Sequence, residues 1–240
     1  MAPLLDGILG EVRSAVARLT RSVRKRFGND AAMEIVYREL LLRDLAKLGI
    51  PDRFYPVGSA ANHSLLYLVL RCYVELPVTR VLDVGAGQTS LLLDELNRKL
   101  GKAEVTTLEH DADWGRLIGA VVAHPVLRRD LVTMRIAGIE TRMHDTTGLP
   151  GPFDMIVMDA PPGRSRYSRL GLLHLMQQFM DRGNFVAIMD DAERGGEMQT
   201  LRLCSGWLRD NRIPHDTSTV RAAKRQRIFA AGTMRQACYF

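Results

Sequence analysis

Three carboxylates and one glycine loop carry the chemistry that this sequence offers. Asp159 follows the apolar run Met155–Met158, and Asp190 and Asp191 follow the apolar stretch Asn184–Met189. Short continuous apolar runs read as central parallel strands. The three acids are therefore expected at neighbouring strand ends, where doubly wound sheets bind ligands. There they could take a proton from a reacting group. The alternative reading makes Asp190 a helix cap and pairs Asp191 or Glu193 with Arg194.

The glycine loop lies upstream. Val81–Val84 reads as a buried strand, Gly85-Ala86-Gly87 follows at once, and Gln88-Thr89-Ser90 opens the apolar helix of Leu91, Leu92 and Leu93. Glycines permit a tight turn and the close approach of a ligand, and a helix start offers free N–H groups. This is a nucleotide-type cofactor site. A second strand, Ala103 to Leu108, ends in Glu109-His110-Asp111. Glu109 falls roughly two dozen residues after the first glycine, where dinucleotide folds place a ribose-binding acid. It could equally be a solvated strand-end acid preceding a helix cap at Asp111.

The elements that must position these groups alternate between helix and strand. Pro3 to Phe27 repeats apolar residues at helical spacing, with Arg13, Arg18, Arg21, Arg24 and Lys25 opposite. A second helix is expected from Ala31 to Leu48, closed by Gly49-Ile50-Pro51. This pair suits a cover on the core, a dimer contact or a membrane-surface element. The loop Arg53–His63 precedes a helix running to about Glu75. Gly58, Ser59, Asn62 and His63 could line the site, or Asn62 or Ser64 could simply cap that helix. Later helices are expected from Asp111 to Ala123, Leu170 to Met180 and Glu197 to Asp210. Leu131 to Ala137 reads as the third strand. Gly138 to Pro152 yields no clear site residue, and His144 and Asp145 read as surface loop. His215–Val220 and Arg227–Ala231 read as a terminal hairpin, with Lys224 as a charge at its tip.

The stretch Asp83-Val84-Gly85-Ala86-Gly87, with the later motifs in order from Tyr55 to Gly232, resembles class I S-adenosylmethionine-dependent methyltransferases. That resemblance implies an α/β fold: a doubly wound, mostly parallel sheet with an antiparallel last strand, here with an N-terminal helical extension. Residues 1–50 would form the helical cover and 51–240 the Rossmann-like domain. It further implies that Asp83, Gly85, Ala86, Gly87, Ser90, Glu109, His110 and Asp159 bind S-adenosylmethionine. Asp159 and Asp190 are the catalytic candidates. The carboxylates also partly resemble the site of cation-dependent O-methyltransferases, which implies Asp159, Asp190 and Asp191 as ligands of Mg²⁺. The loop Asp159-Ala-Pro-Pro-Gly163 departs from the Asp/Asn-Pro-Pro-aromatic motif of amine methylases at Ala160 and Gly163. It is also similar to the Asp-Ala-Pro-Cys loop of RNA cytosine methylases, but Pro162 replaces the cysteine nucleophile.

Composition bounds the partners. The chain has 240 residues, 46% hydrophobic, with a formal net charge of +6 and a pI of about 9.5. That balance permits an anionic partner, and Arg164, Arg166 and Arg169 in one loop could bind an anionic substrate or form a solvated charge run. Only 6% of residues are aromatic, and no basic patch carries interleaved stacking residues, so nucleic acid is not the expected partner. Cys72, Cys204 and Cys238 form neither a metal-ligand pattern nor a disulfide framework. With no apolar run of membrane length and no signal-peptide pattern, the cytoplasm is the expected location. The expected reaction is methyl transfer from S-adenosylmethionine to a hydroxyl of a small molecule or glycan. An NAD-dependent oxidoreductase, an RNA methylase and a non-catalytic binding protein are the alternatives. Against the first of these, Ser90 stands where a dinucleotide fingerprint has its third glycine.

Overall fold

The computed structural model describes residues 30–56, 61–163 and 166–240. The predicted helix Pro3–Phe27, together with Gly58, Ser59 and Arg164, lies outside them. Helix α1 (Ala31–Leu48) begins at Asp30, whose carboxylate accepts from the Ala32 and Met33 amides, and ends at Gly49 in the left-handed region. Helix α2 (His63–Glu75) is capped by Asn62, whose side chain accepts from the Leu65 amide.

The main sheet has seven strands. They are β1 (Arg80–Val84), β2 (Glu104–Glu109), β3 (Val126–Arg128), β6 (Met155–Met158), β7 (Phe185–Met189), β8 (His215–Arg221) and β9 (Arg225–Ala231). Their spatial order is β3-β2-β1-β6-β7-β9-β8. The first five run parallel, and β9 pairs antiparallel to both β7 and β8. The doubly wound sheet with an antiparallel edge is thus the fold implied by the methyltransferase resemblance. Helices α3 (Gln88–Leu100) and α4 (Ala112–Gly119) follow β1 and β2. Helices α5 (Gly171–Phe179) and α6 (Gly195–Asp210) flank β7 in sequence.

Strand periodicity sorts the core into two layers. Val81, Met155, Val157, Val186 and Ile188 pack with Leu41 and Leu45 of α1 and with the buried face of α2. Their neighbours Leu82, Ile156, Met158, Ala187 and Met189 pack with Leu172, Leu175 and Met176 of α5 and with Cys204 and Leu208 of α6. Both β6 and β7 are buried along their whole length, as their apolar sequences require.

Two expectations need correction. The stretch from Leu131 is a strand, but not the third strand of the sheet. β4 (Leu131–Ile136) pairs antiparallel with β5 (Ile139–His144) in a separate hairpin. Its turn is Ala137-Gly138, both with positive φ, the backbone of a tight two-residue hairpin. The third strand is the short β3, paired to β2 at Thr107–Glu109. Helix α4 also ends at Gly119 rather than Ala123.

Candidate active site

The parallel ladder delivers the site residues to one edge. Beyond the last paired residues, the Gly85 amide donates to Leu108 O, the Asp159 amide to Val84 O, and the Asp190 amide to Met158 O. The glycine loop, Glu109, Asp159 and Asp190 therefore stand side by side at the carboxyl ends of β1, β2, β6 and β7. Surface hollows lined by Thr79, Asn97 and Lys102 and by Asp94, His124 and Pro125 lie off this edge, around the amino ends of β1 and β2.

Asp83 is fully buried beneath the loop. It accepts from Thr89 Oγ1 at 2.8 Å, Ser90 Oγ at 2.5 Å and Thr107 Oγ1 at 3.2 Å. Burial pushes its carboxyl up to about 6, against the pull of these three donors. Ser90 in turn accepts from the Gly87 amide at 3.1 Å. Asp83 and Ser90 thus brace the loop from below, and their oxygens are engaged there. Gly85 has φ 108°, and a Cβ there would lie 2.7 Å from the Cβ of Ala160. Only glycine lets the loop lie against the Asp159–Ala160 strand end.

Glu109 reaches across to the loop. Its Oε2 accepts from the Ala86 amide at 2.9 Å, and its Oε1 accepts from the His110 and Asp111 amides at 2.7 and 2.8 Å. His110 Nδ1 lies 2.9 Å from the same carboxylate. Asp111 caps α4 as the alternative reading has it. Two neighbours escaped the sequence reading. Trp114 donates its indole N–H to Ala86 O at 2.7 Å, so a half-exposed ring borders the loop. His144 is buried rather than in a surface loop, and its ring meets His110 edge-on at 5.5 Å. Burial, with His110 nearby, pushes His144 down to about 4, so it is neutral near pH 7.

The carboxylate trio forms as expected. One oxygen each from Asp159, Asp190 and Asp191 can be chosen so that all lie within 4.8 Å of one another. The cations around it were legible only in part. Arg169, read from sequence as a substrate-binding loop residue, is buried. Its Nη2 donates to Asp159 Oδ1 at 3.0 Å and lies 2.6 Å from Asp191 Oδ2. Arg194 reaches the same Asp191 oxygen at 2.8 Å, so the predicted Asp191–Arg194 pair exists. Lys224 is not an idle hairpin-tip charge. Its Nζ lies 3.1 Å from Asp190 Oδ2 and 3.9 Å from Asp191 Oδ1. The β7–β9 register sets Met189 opposite Arg227, which brings Gln226 and Lys224 alongside Asp190. Gln226 Nε2 donates to Asp190 Oδ1 at 2.7 Å. Asp190 therefore caps no helix.

These contacts split the acids. Burial and the neighbouring Asp190 hold Asp159 well above the usual carboxylate range, despite Arg169. Burial also pushes Asp190 upward, but Lys224, Arg169 and the Gln226 hydrogen bond outweigh it and hold it below that range. One acid is poised to take a proton and the other stays ionised.

The remaining candidates lie around the trio rather than in it. Asn62 donates to Glu34 at 2.7 Å and accepts from Gln226 at 3.1 Å, so it joins α1 to the Asp190 network. His63 faces Glu34 at 3.6 Å. Arg166 lies over the Tyr167 ring. Its carbonyl sits so close to Gly196 that any Cβ there would overlap it. Buried Glu197 accepts from Ser168 Oγ at 2.6 Å and fastens the Arg169 segment to α6.

No family model matches the chain, and no curated protein matches it. Solved structures with a similar architecture do exist. An SAH-bound methyltransferase of Podospora anserina is 14% identical with a TM-score of 0.48, over 90% of this chain and 94% of that one. An O-methyltransferase of Bacillus cereus in complex with SAH is 14% identical with a TM-score of 0.48, over 89% and 97%. A precorrin-6y C5,15-methyltransferase of Geobacter metallireducens is 14% identical with a TM-score of 0.49, over 77% and 97%. These are likenesses of architecture. The functional reading rests on the residues of this chain.

Proposed function

We propose that this chain transfers the methyl group of S-adenosylmethionine to a hydroxyl oxygen of a small molecule or glycan. One observation carries the reading: the glycine loop, bonded to Glu109 through Ala86, abuts the strand end that bears Asp159. The groups proposed to bind the cofactor and to accept the proton are thereby adjacent. Glu109 and the glycine-loop amides would hold the cofactor, with Trp114 and His110 beside them.

The donor is an activated sulfonium, so the protein must align the acceptor and remove one proton. The acceptor oxygen attacks the methyl carbon, the carbon–sulfur bond breaks, and its electrons neutralise the sulfonium. The hydroxyl proton passes to the carboxylate of Asp159, whose raised proton affinity suits a base. Asp190, kept ionised by Lys224, Arg169 and Gln226, supports the Asp159 proton affinity by like charge.

The test is calorimetric titration with S-adenosylhomocysteine and separately with NAD, followed by a screen of hydroxyl compounds for methyl transfer. Binding of S-adenosylhomocysteine with none of NAD is expected. Saturation by NAD alone would replace this reading with an oxidoreductase. Among the described residues no helix is long and apolar enough to cross a membrane. Homodimer formation and a membrane-surface contact through the helix predicted at Pro3–Phe27 are separate proposals, read by sedimentation and by vesicle binding.

A further inference from the structure

We propose that the cation position within the acidic trio belongs to the chain's own Lys224 and Arg169, so that the site works without a divalent ion. This inference rests on the methyltransferase reading for its meaning in catalysis, but its geometry stands independently. Acid spacing alone fits a metal centre, since ligand oxygens of the three residues lie within 4.8 Å of one another. One oxygen of each acid is already engaged. Asp159 Oδ1 has the Arg169 guanidinium at 3.0 Å, Asp191 Oδ2 has Arg169 at 2.6 Å and Arg194 at 2.8 Å, and Asp190 Oδ2 has Lys224 at 3.1 Å.

A resident Mg²⁺ requires near-octahedral oxygen ligands at about 2.1 Å. Placed among these acids, it would meet an ammonium and a guanidinium in contact with the same carboxylates. Three cationic side chains already face the three acids, which weakens the electrostatic incentive for a dication. The remaining Asp190 oxygen is not available either, because Gln226 donates to it at 2.7 Å.

The arrangement is anchored rather than accidental. Arg169 is only 3% exposed on its side chain. Its segment is held by Glu197, which accepts from Ser168 Oγ and from the Arg169 amide. Lys224 sits at a tight tip where the Ala222 amide donates to Lys224 O, and Arg225 O accepts from the Ala192 amide beside the trio. The hairpin thus delivers a fixed positive charge to the strand end. In the reaction, Lys224 is a positioning residue that holds the Asp190 carboxylate beside Asp159.

The experiment follows free Mn²⁺ by electron paramagnetic resonance while the full chain is titrated, with and without S-adenosylhomocysteine. Calorimetry of S-adenosylhomocysteine is run on the same samples, so failure of the methyltransferase reading appears there and not in the Mn²⁺ signal. Wild type is expected to leave Mn²⁺ free. Lys224→Ala, which uncovers Asp190, is expected to bind Mn²⁺ at least about tenfold more tightly than wild type. Adding Asp190→Asn to Lys224→Ala should abolish that gain. Stoichiometric uptake by wild type that is lost in Asp190→Asn would overturn the inference. Equal Mn²⁺ affinity in wild type and Lys224→Ala would also overturn it. Where Lys224→Ala does not fold, Lys224→Gln gives the same comparison with the side-chain length nearly kept.

Discussion

Glu109 closes onto Ala86: the carboxylate of one strand end accepts the backbone amide of the neighbouring glycine loop at 2.9 Å. The same side chain accepts two further amides at the start of the next turn. The second strand and the glycine loop are therefore one mechanical unit. Glu109→Ala should weaken S-adenosylhomocysteine by about ten- to a hundredfold, the scale of a lost charged hydrogen bond. The overall fold should persist. Calorimetry with circular dichroism on the same sample checks both halves, and unchanged affinity would remove Glu109 from the site.

Asp83 gives a pH signature with an unusual sign. Its folded-state carboxyl is pushed by burial up to about 6, from an ordinary 3.8. Between those limits the folded chain binds more protons than the unfolded one, so this group's contribution to stability falls as pH rises from about 4 to about 6. Above that window the buried charge costs about 3 kcal/mol in order of magnitude. Asp83→Asn should flatten the pH dependence of urea unfolding in this window. It should also loosen the loop, because one carboxamide cannot accept from Thr89, Ser90 and Thr107 alike. S-adenosylhomocysteine affinity should accordingly drop in the variant, and in wild type below pH 6.

Asp159 is the proposed base, and its role separates binding from rate. Asp159→Asn should reduce methyl transfer by about 10²–10⁴-fold while cofactor affinity changes little. In wild type the rate should rise with pH through the elevated Asp159 ionisation, since only the carboxylate accepts the proton. A variant that keeps near-normal turnover would move the proton elsewhere.

Gly85 tests the close approach of loop and strand. Its φ of 108° and the 2.7 Å clearance to Ala160 exclude a side chain without movement. Gly85→Ala should cost about 1–3 kcal/mol of stability and should lower cofactor affinity as well. Thermal unfolding and calorimetry read the two effects. A variant with unaltered melting would show that the loop can shift without penalty.

The glycine loop, both central strands and the three acids could be read from sequence because each is local: an apolar run, a turn residue or a strand-end acid. Cross-chain partnerships could not. Arg169 stood open between a substrate contact and a solvated loop charge, because nothing near it in sequence announces that Glu197, far along the chain, will bury Ser168 and Arg169. Lys224 looked like a tip charge because its position depends on the β7–β9 register, set by pairing and not by composition. The Leu131 strand had the right period but the wrong sheet. Ala137-Gly138 carried the turn signal, and a three-residue β3 offers too little pattern to compete. His144 followed from that hairpin, whose last residue it is.

Lys224 and Gln226 come from the final hairpin, whereas the acids that they serve precede them by dozens of residues. During synthesis, residues 159, 190 and 191 emerge first as a group of negative charges lacking these partners. Domains complete their packing as the last segments arrive. The hairpin therefore joins two roles in one segment: without it the chain loses two strands of its sheet together with the Lys224 and Gln226 contacts to Asp190.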